Sequence, residues 1–225
     1  MCNPACLAYG EAQLSEADIR GKRVIEVGAR NVNGSLRKYV EQFGPSSYVG
    51  VDIEAGRGVD EVCNAEDLVQ RFGRESFDVV ISTEVLEHVR NWRVVMANLK
   101  QLLRPNGVLL ITTRSYGFGY HAFPYDFWRY EISDMQAIFS DLAVEDVCSD
   151  PGKPGVFMTA RRPEQFTEND LASYELYSII KDERCLDVTD AEVNRFVSKK
   201  RVRLFVAKKT PTKVRTLVKK VLPGG

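Results

Sequence analysis

Four short runs of aliphatic and β-branched residues, at positions 24–27, 48–53, 77–82 and 108–112, punctuate the first half of this 225-residue chain. Each is nearly continuous in apolar character instead of alternating, which suits a strand buried on both faces of a parallel sheet. Parallel strands need crossover connections. The intervening stretches, 34–43, 65–72 and 91–103, carry helical periodicity. Pro105-Asn106-Gly107 reads as a turn that ends the last of them.

A short strand at 61–63, a helix at 133–139 and two strands at 142–148 and 155–160 follow the same logic. The last two are joined through Pro151-Gly152-Lys153-Pro154-Gly155 and read as an antiparallel hairpin at the sheet edge. The pattern predicts an α/β fold, with a doubly wound, mostly parallel sheet of seven strands. Three segments follow: 1–19 at the N-terminus, a main domain over 20–162, and a helical, basic extension over 163–225. Helices are expected in that extension at 168–180 and 190–197.

The first strand runs into Gly28-Ala29-Arg30-Asn31-Val32-Asn33-Gly34-Ser35, a strand–glycine turn–helix step. Glycine lets the backbone take unusual dihedrals there and approach a ligand closely, and a helix start aims free N–H groups back at it. Asp52 closes the second run two dozen residues on. That is the spacing at which a carboxylate can take ribose hydroxyls in a nucleoside-binding βαβ unit.

Composition excludes several classes. The chain is 44% hydrophobic and 28% charged, and no apolar run reaches the ~18 residues of a membrane span. The first residues, Met1-Cys2-Asn3-Pro4-Ala5-Cys6, lack the basic start and apolar core of a secretory leader, so a cytoplasmic setting is expected. Five scattered cysteines (2, 6, 63, 148 and 185) read as reduced thiols, and no metal site is expected. Net charge is zero, yet residues 197–225 carry ten Lys and Arg and no acid. Val214, Leu217, Val218 and Val221 fall on one helical face of that tail. Over 199–222 this is the pattern of an interfacial membrane helix or of a binder of anionic partners, nucleic acid included, or of a solvated tail.

Four segments in order carry a family resemblance: 24–28, 49–53, Phe77-Asp78-Val79-Val80-Ile81-Ser82-Thr83-Glu84-Val85-Leu86-Glu87-His88-Val89, and 103–111. Together they resemble the class I S-adenosylmethionine-dependent methyltransferases, of the small-molecule, methyltransferase type 11 group, over residues 20–162. The resemblance implies a Rossmann-like sheet and S-adenosyl-L-methionine as cofactor. It implies cofactor contacts at Glu26, Gly28, Gly34, Asp52, Asn64, Ala65, Ser82, Thr83 and Glu84. The turn departs from the family's compact glycine-x-glycine-x-glycine loop, because Arg30 and Val32 stand where later glycines are usual. Asn64 could meet the adenine or cap a helix, and Arg30 could meet the cofactor carboxylate or lie on the surface.

After the fifth strand, where the family builds substrate pockets, comes a loop dense in aromatics. Tyr116, Tyr120, Asp126, Trp128 and Arg129 are its candidate substrate contacts, and His121 is its candidate catalytic group. His88 is either a base or a structural member of the turn after strand four. The expected activity is methyl transfer to a small-molecule or glycan- or lipid-linked acceptor, with contact to a membrane surface through 199–222. The competing readings are an RNA or protein methyltransferase, or a non-catalytic scaffold. An NAD-dependent dehydrogenase is disfavoured, because the turn lacks full GxGxxG spacing.

Overall fold

The computed structural model describes residues 3–122 and 124–209, with the side chains of 201–209 left aside. Seven strands form one sheet: β1 (Arg23–Val27), β2 (Ser47–Asp52), β3 (Glu61–Val62), β4 (Phe77–Thr83), β5 (Leu103–Thr113), β7 (Ala143–Ser149) and β8 (Val156–Arg161). Their order is β3-β2-β1-β4-β5-β8-β7. The first five are parallel, and β8 runs antiparallel to both its neighbours. The doubly wound sheet with an antiparallel edge hairpin is therefore present as the sequence implies.

The helices are α1 (Pro4–Gln13), α2 (Glu16–Ile19), α3 (Arg37–Glu41), α4 (Leu68–Phe72), α5 (Trp92–Leu102), α6 (Ile132–Ile138) and α7 (Asp190–Lys209). Asn3 starts α1 by accepting the amides of Ala5 and Cys6 on its side chain, with Pro4 at the first helical position. On one sheet face Cys6, Tyr9, Leu14 and Ile19 join Val24, Val79, Ile81, Leu110 and Phe157 in a single core. The N-terminal segment thus covers the sheet. On the same face Tyr9 donates its hydroxyl to Asp146, 2.8 Å away, and packs its ring on Phe157.

Three expectations change. The turn at Pro105–Gly107 lies inside β5, where pairing with β4 shifts between Phe77 and Val79 and Asn106 takes a φ of +64°. The helix of 34–43 shrinks to Arg37–Glu41. The helix expected over 168–180 is absent. Instead β9 (Leu176–Ser178) forms the middle of a second sheet, between β6 (Trp128–Arg129) and β10 (Glu183–Cys185). The physical reason is a set of long-range bonds to the segment. The Arg93 guanidinium donates to the carbonyls of Leu171, Tyr174 and Leu186 at 2.8, 2.6 and 3.0 Å. Buried Lys100 donates to Ile138 O, Asp141 and Asn169 at 2.6, 2.7 and 2.9 Å. Within the segment these bonds anchor Asn169, Leu171 and Tyr174 to α5, and only an isolated turn forms, Tyr174 N donating to Leu171 O at 3.0 Å.

One compact unit spans Met1–Leu186, taking in both the N-terminal segment and residues 163–186, and a second spans Asp187–Gly225. In the second unit α7 extends well past the expected 190–197. The amphipathic pattern of 214–221 lies outside the described residues. Among the described residues no helix is long and apolar enough to cross a membrane.

Candidate active site

Strand order reverses direction between β1 and β4, and the carboxyl ends of strands at such a point form a crevice. A cavity of about 250 Å³ opens there, lined from β1 by Val27 and Gly28, from β2 by Asp52 and Ile53, and from β4 by Glu84 and Val85. Gly28 has a φ of +81°, and a Cβ on it would lie 2.0 Å from Val85 Cγ2. Its lack of a side chain is what lets the β1 and β4 turns close on each other.

Asp52 accepts the Arg30 amide at 3.2 Å on one oxygen and the Glu54 amide at 3.1 Å on the other. The Arg30 side chain pairs with Glu54 at the cavity rim. Asn64 caps the 3-10 turn Ala65–Asp67 by accepting from Glu66 N at 3.0 Å, and both Asn64 and Ala65 line the cavity. Four of the expected cofactor residues lie outside this lining. Buried Glu26 accepts from Tyr48 and Ser35 at 2.5 and 3.0 Å. Gly34 packs toward Leu7, and Ser82 and Thr83 are buried away from the cavity wall.

Glu84 sits in the left-handed region with φ +58°, a strain of about 1–3 kcal/mol that ordinary strand ends avoid. Its carboxylate is paired with Arg114 and accepts from Thr112 at 3.3 Å and from the Cys6 thiol at 3.6 Å. Burial, with the nearby Glu87 carboxylate and Cys6, pushes Glu84 up to about 9 in spite of Arg114.

Beside the cavity lies a second group of side chains. Glu87 is fully buried, and its Oε2 accepts from Thr113 at 2.9 Å. Among the described residues its Oε1 has no hydrogen-bond partner, and it faces His121 Nε2 at 3.6 Å and His88 Nε2 at 3.8 Å. The rings of His88 and His121 meet edge to face at 4.8 Å. Burial, which opposes ionisation, is outweighed at Glu87 by the pull of His121 and His88, so its pKa is lowered. Burial also works against charge on His121, but Asp126 and Glu87 raise it to about 9.

The loop after β5 divides by role. Asp126 is buried, held by Arg129 at 2.6 and 2.7 Å, and accepts the His121 amide at 2.9 Å. Arg129 also donates to the carbonyls of Phe118 and Gly119, and Trp128 donates its indole N–H to Arg90 O at 3.1 Å. These three knot the loop together and carry His121 to Glu87. Tyr120 is half-buried, while Tyr116 is 64% exposed and meets Tyr177 edge to face. Sequence reasoning gave no role to Glu87, which lies in the turn after β4. The signal was its place directly before the only histidine of that turn.

Comparison with known proteins decides the family. A protein-family model described as a methyltransferase domain matches residues 7–149, more than half of the chain. The chain belongs to this methyltransferase family. The domain has the fold of a class I S-adenosylmethionine-dependent methyltransferase. The chain is 30% identical over 123 residues to a ubiquinone biosynthesis O-methyltransferase of Rhizobium etli, covering 48% of each. It is 33% identical over 105 residues to a probable phthiotriol/phenolphthiotriol dimycocerosates methyltransferase of Mycobacterium ulcerans, covering 41% of this chain and 40% of that one. The chain thus spans about half the length of the curated relatives it matches. Burkholderia thailandensis 1,6-didemethyltoxoflavin-N1-methyltransferase, solved with 1,6-didemethyltoxoflavin and S-adenosylhomocysteine, shares the fold. Its TM-score is 0.57 at 18% identity, over 72% of this chain and 80% of that one.

Proposed function

We propose that this protein methylates a hydroxyl of a small-molecule or lipid- or glycan-linked acceptor, activated at the group formed by Glu87, His88 and His121. The observation that carries the reading is the contact between two sites, since His88 lines the cavity and packs edge to face on His121. When bound, S-adenosylmethionine supplies an electrophilic methyl group to the acceptor.

The cavity residues fit such a ligand. Its walls include Val32 and Ile53, apolar side chains exposed by 51% and 52%, which suit a flat purine ring. Asp52 offers a carboxylate for ribose hydroxyls, and its hold on two loop amides fixes its direction. Glu66 joins Asp52 as an acidic side chain of the lining, the sign that a cationic ligand requires.

A neutral hydroxyl gains from a proton acceptor, whereas an amine or thiolate needs mainly alignment. The two imidazoles therefore favour an oxygen acceptor, in keeping with the O-methyltransferase among the relatives. We assign His121 as the catalytic group; because Asp126 and Glu87 raise it to about 9, it accepts the hydroxyl proton only once deprotonated, and the rate should rise with pH toward about 9. Exposed Tyr116 and half-buried Tyr120, on the same loop, provide aromatic faces for the acceptor.

The test is transfer of labelled methyl from S-adenosylmethionine to fractionated cell extract, followed by identification of the labelled compound. His121→Asn should lower the rate about 100-fold or more while leaving S-adenosylhomocysteine affinity within about twofold. A labelled RNA or protein, or an unchanged rate in the variant, would overturn the reading.

A further inference from the structure

A buried carboxylate oxygen without a hydrogen bond costs about 1–3 kcal/mol or more, so folded proteins rarely leave one unmatched. Among the described residues Glu87 Oε1 is such an atom, on a side chain with 0% exposure. Two imidazole Nε2 atoms face it at 3.6 and 3.8 Å, and one ligand atom from each of the three residues lies within 4.8 Å of the others. Donors around one zinc ion, each at about 2.0–2.1 Å, stand about 3.3 Å apart. The two carboxylate-to-ring distances are close to that value, and a small turn of either ring brings the third into line.

Each of the three side chains is also braced from behind. His88 Nδ1 lies 2.6 Å from the Tyr125 carbonyl, which can only accept, so Nδ1 carries the proton and Nε2 keeps its lone pair. His121 Nδ1 lies within ion-pair distance of Asp126 Oδ2, at 3.0 Å and without a formed hydrogen bond, and Asp126 is itself gripped by Arg129. Thr113 holds the second oxygen of Glu87. An outer carboxylate or carbonyl on the far nitrogen of each histidine is what ligating imidazoles carry in metal proteins.

From this geometry we infer that Glu87, His88 and His121 bind one divalent transition-metal ion, with zinc favoured by two nitrogens and one oxygen. Magnesium and calcium, which take oxygen donors, are disfavoured. Three protein ligands leave a coordination position open. With the ion bound, His121 Nε2 would be a ligand and not a base, and an acceptor hydroxyl at the open position would release its proton to water. That role, though not the binding itself, rests on the acceptor reading above.

His88 and His121 are the only histidines in the chain, which makes the test direct. Untagged protein is titrated with Zn²⁺ while the ring signals of the two histidines are followed by NMR. Co²⁺ is added in parallel, and its visible absorption read. Both rings should shift together at one Zn²⁺ per chain, and Co²⁺ should show bands of nitrogen and oxygen ligation. Mg²⁺ at tenfold excess should not displace either ion. Glu87→Gln should abolish saturable binding, and Asp126→Asn should weaken it about 10- to 100-fold.

Movement of one ring alone, of neither, or unchanged affinity in Glu87→Gln would overturn the inference. The ring signals of the unaltered protein decide the matter even if Glu87→Gln fails to fold. Calorimetry with S-adenosylhomocysteine runs alongside. Nucleoside binding without Zn²⁺ binding defeats this inference alone. Zn²⁺ binding without nucleoside binding defeats the cofactor site alone.

Discussion

At the residue scale the tightest constraint is at Gly28. Its φ of +81° disfavours any side chain, and Val85 occupies the space a Cβ would need. Gly28→Ala should therefore lower stability by about 2–3 kcal/mol, combining backbone strain with overpacking. Val85→Ala in the same chain should return the overpacking part, because the Cγ2 clash disappears while the strain stays. Thermal melts of the two single variants and the double variant form a cycle that separates these contributions. Additive losses would mean that the two turns do not press on one another. Glu84, one residue before Val85, carries a left-handed φ without being glycine, so backbone strain collects where β4 delivers its side chains to the cavity.

At the element scale, α1 is tied to the sheet by a polar latch as well as by its apolar face. Asp150 accepts from Gly152 N at 2.8 Å, from Asn3 at 3.2 Å and from Arg114 at 3.0 Å. Burial alone would raise its pKa, but these bonds together lower it. The unfolded chain then takes up a proton at higher pH than the folded one. The contribution of Asp150 is whole above the ordinary aspartate value, about 3.9, and fades as pH falls through the lower folded value. Asp150→Asn should be less stable at neutral pH by about 1–2 kcal/mol. Its stability should also fall less steeply below about pH 4, as urea melts across that range would show. Parallel acid limbs would rule the latch out.

Elements also show what the sequence could and could not reveal. The central strands were legible because Val24, Ile25, Val79, Val80 and Ile81 are all fully buried, and continuous burial leaves a continuous apolar run. The segment 168–180 misled because its conformation is set by Arg93 and Lys100, which lie far off in the chain on α5. Asp52, Asn64 and Glu84 could be placed in advance because they follow strand ends, which periodicity reveals. The meeting of His121 with Glu87 could not. It depends on the Asp126–Arg129 knot folding the loop back on the turn after β4, where Phe127 N donates to Glu87 O at 2.7 Å.

At the scale of the whole unit Met1–Leu186, one sheet serves two neighbouring sites. The carboxyl ends of β1, β2 and β4 shape a cavity, the proposed nucleoside site, and the turns after β4 and β5 bring a buried acid and two imidazoles to its edge. N-terminal residues outside the strand pattern close the arrangement, with Cys6 reaching Glu84 and Asn3 reaching Asp150. The proposed methyl transfer requires that the cavity hold S-adenosylmethionine, with Asp52 as the proposed ribose contact. Isothermal titration of S-adenosylmethionine into the protein and into Asp52→Ala measures this most directly. The expected result is one site per chain, weakened roughly 10- to 100-fold in the variant, as loss of a charge-assisted pair of bonds requires. No binding to the unaltered protein, or equal affinity in Asp52→Ala, would contradict it.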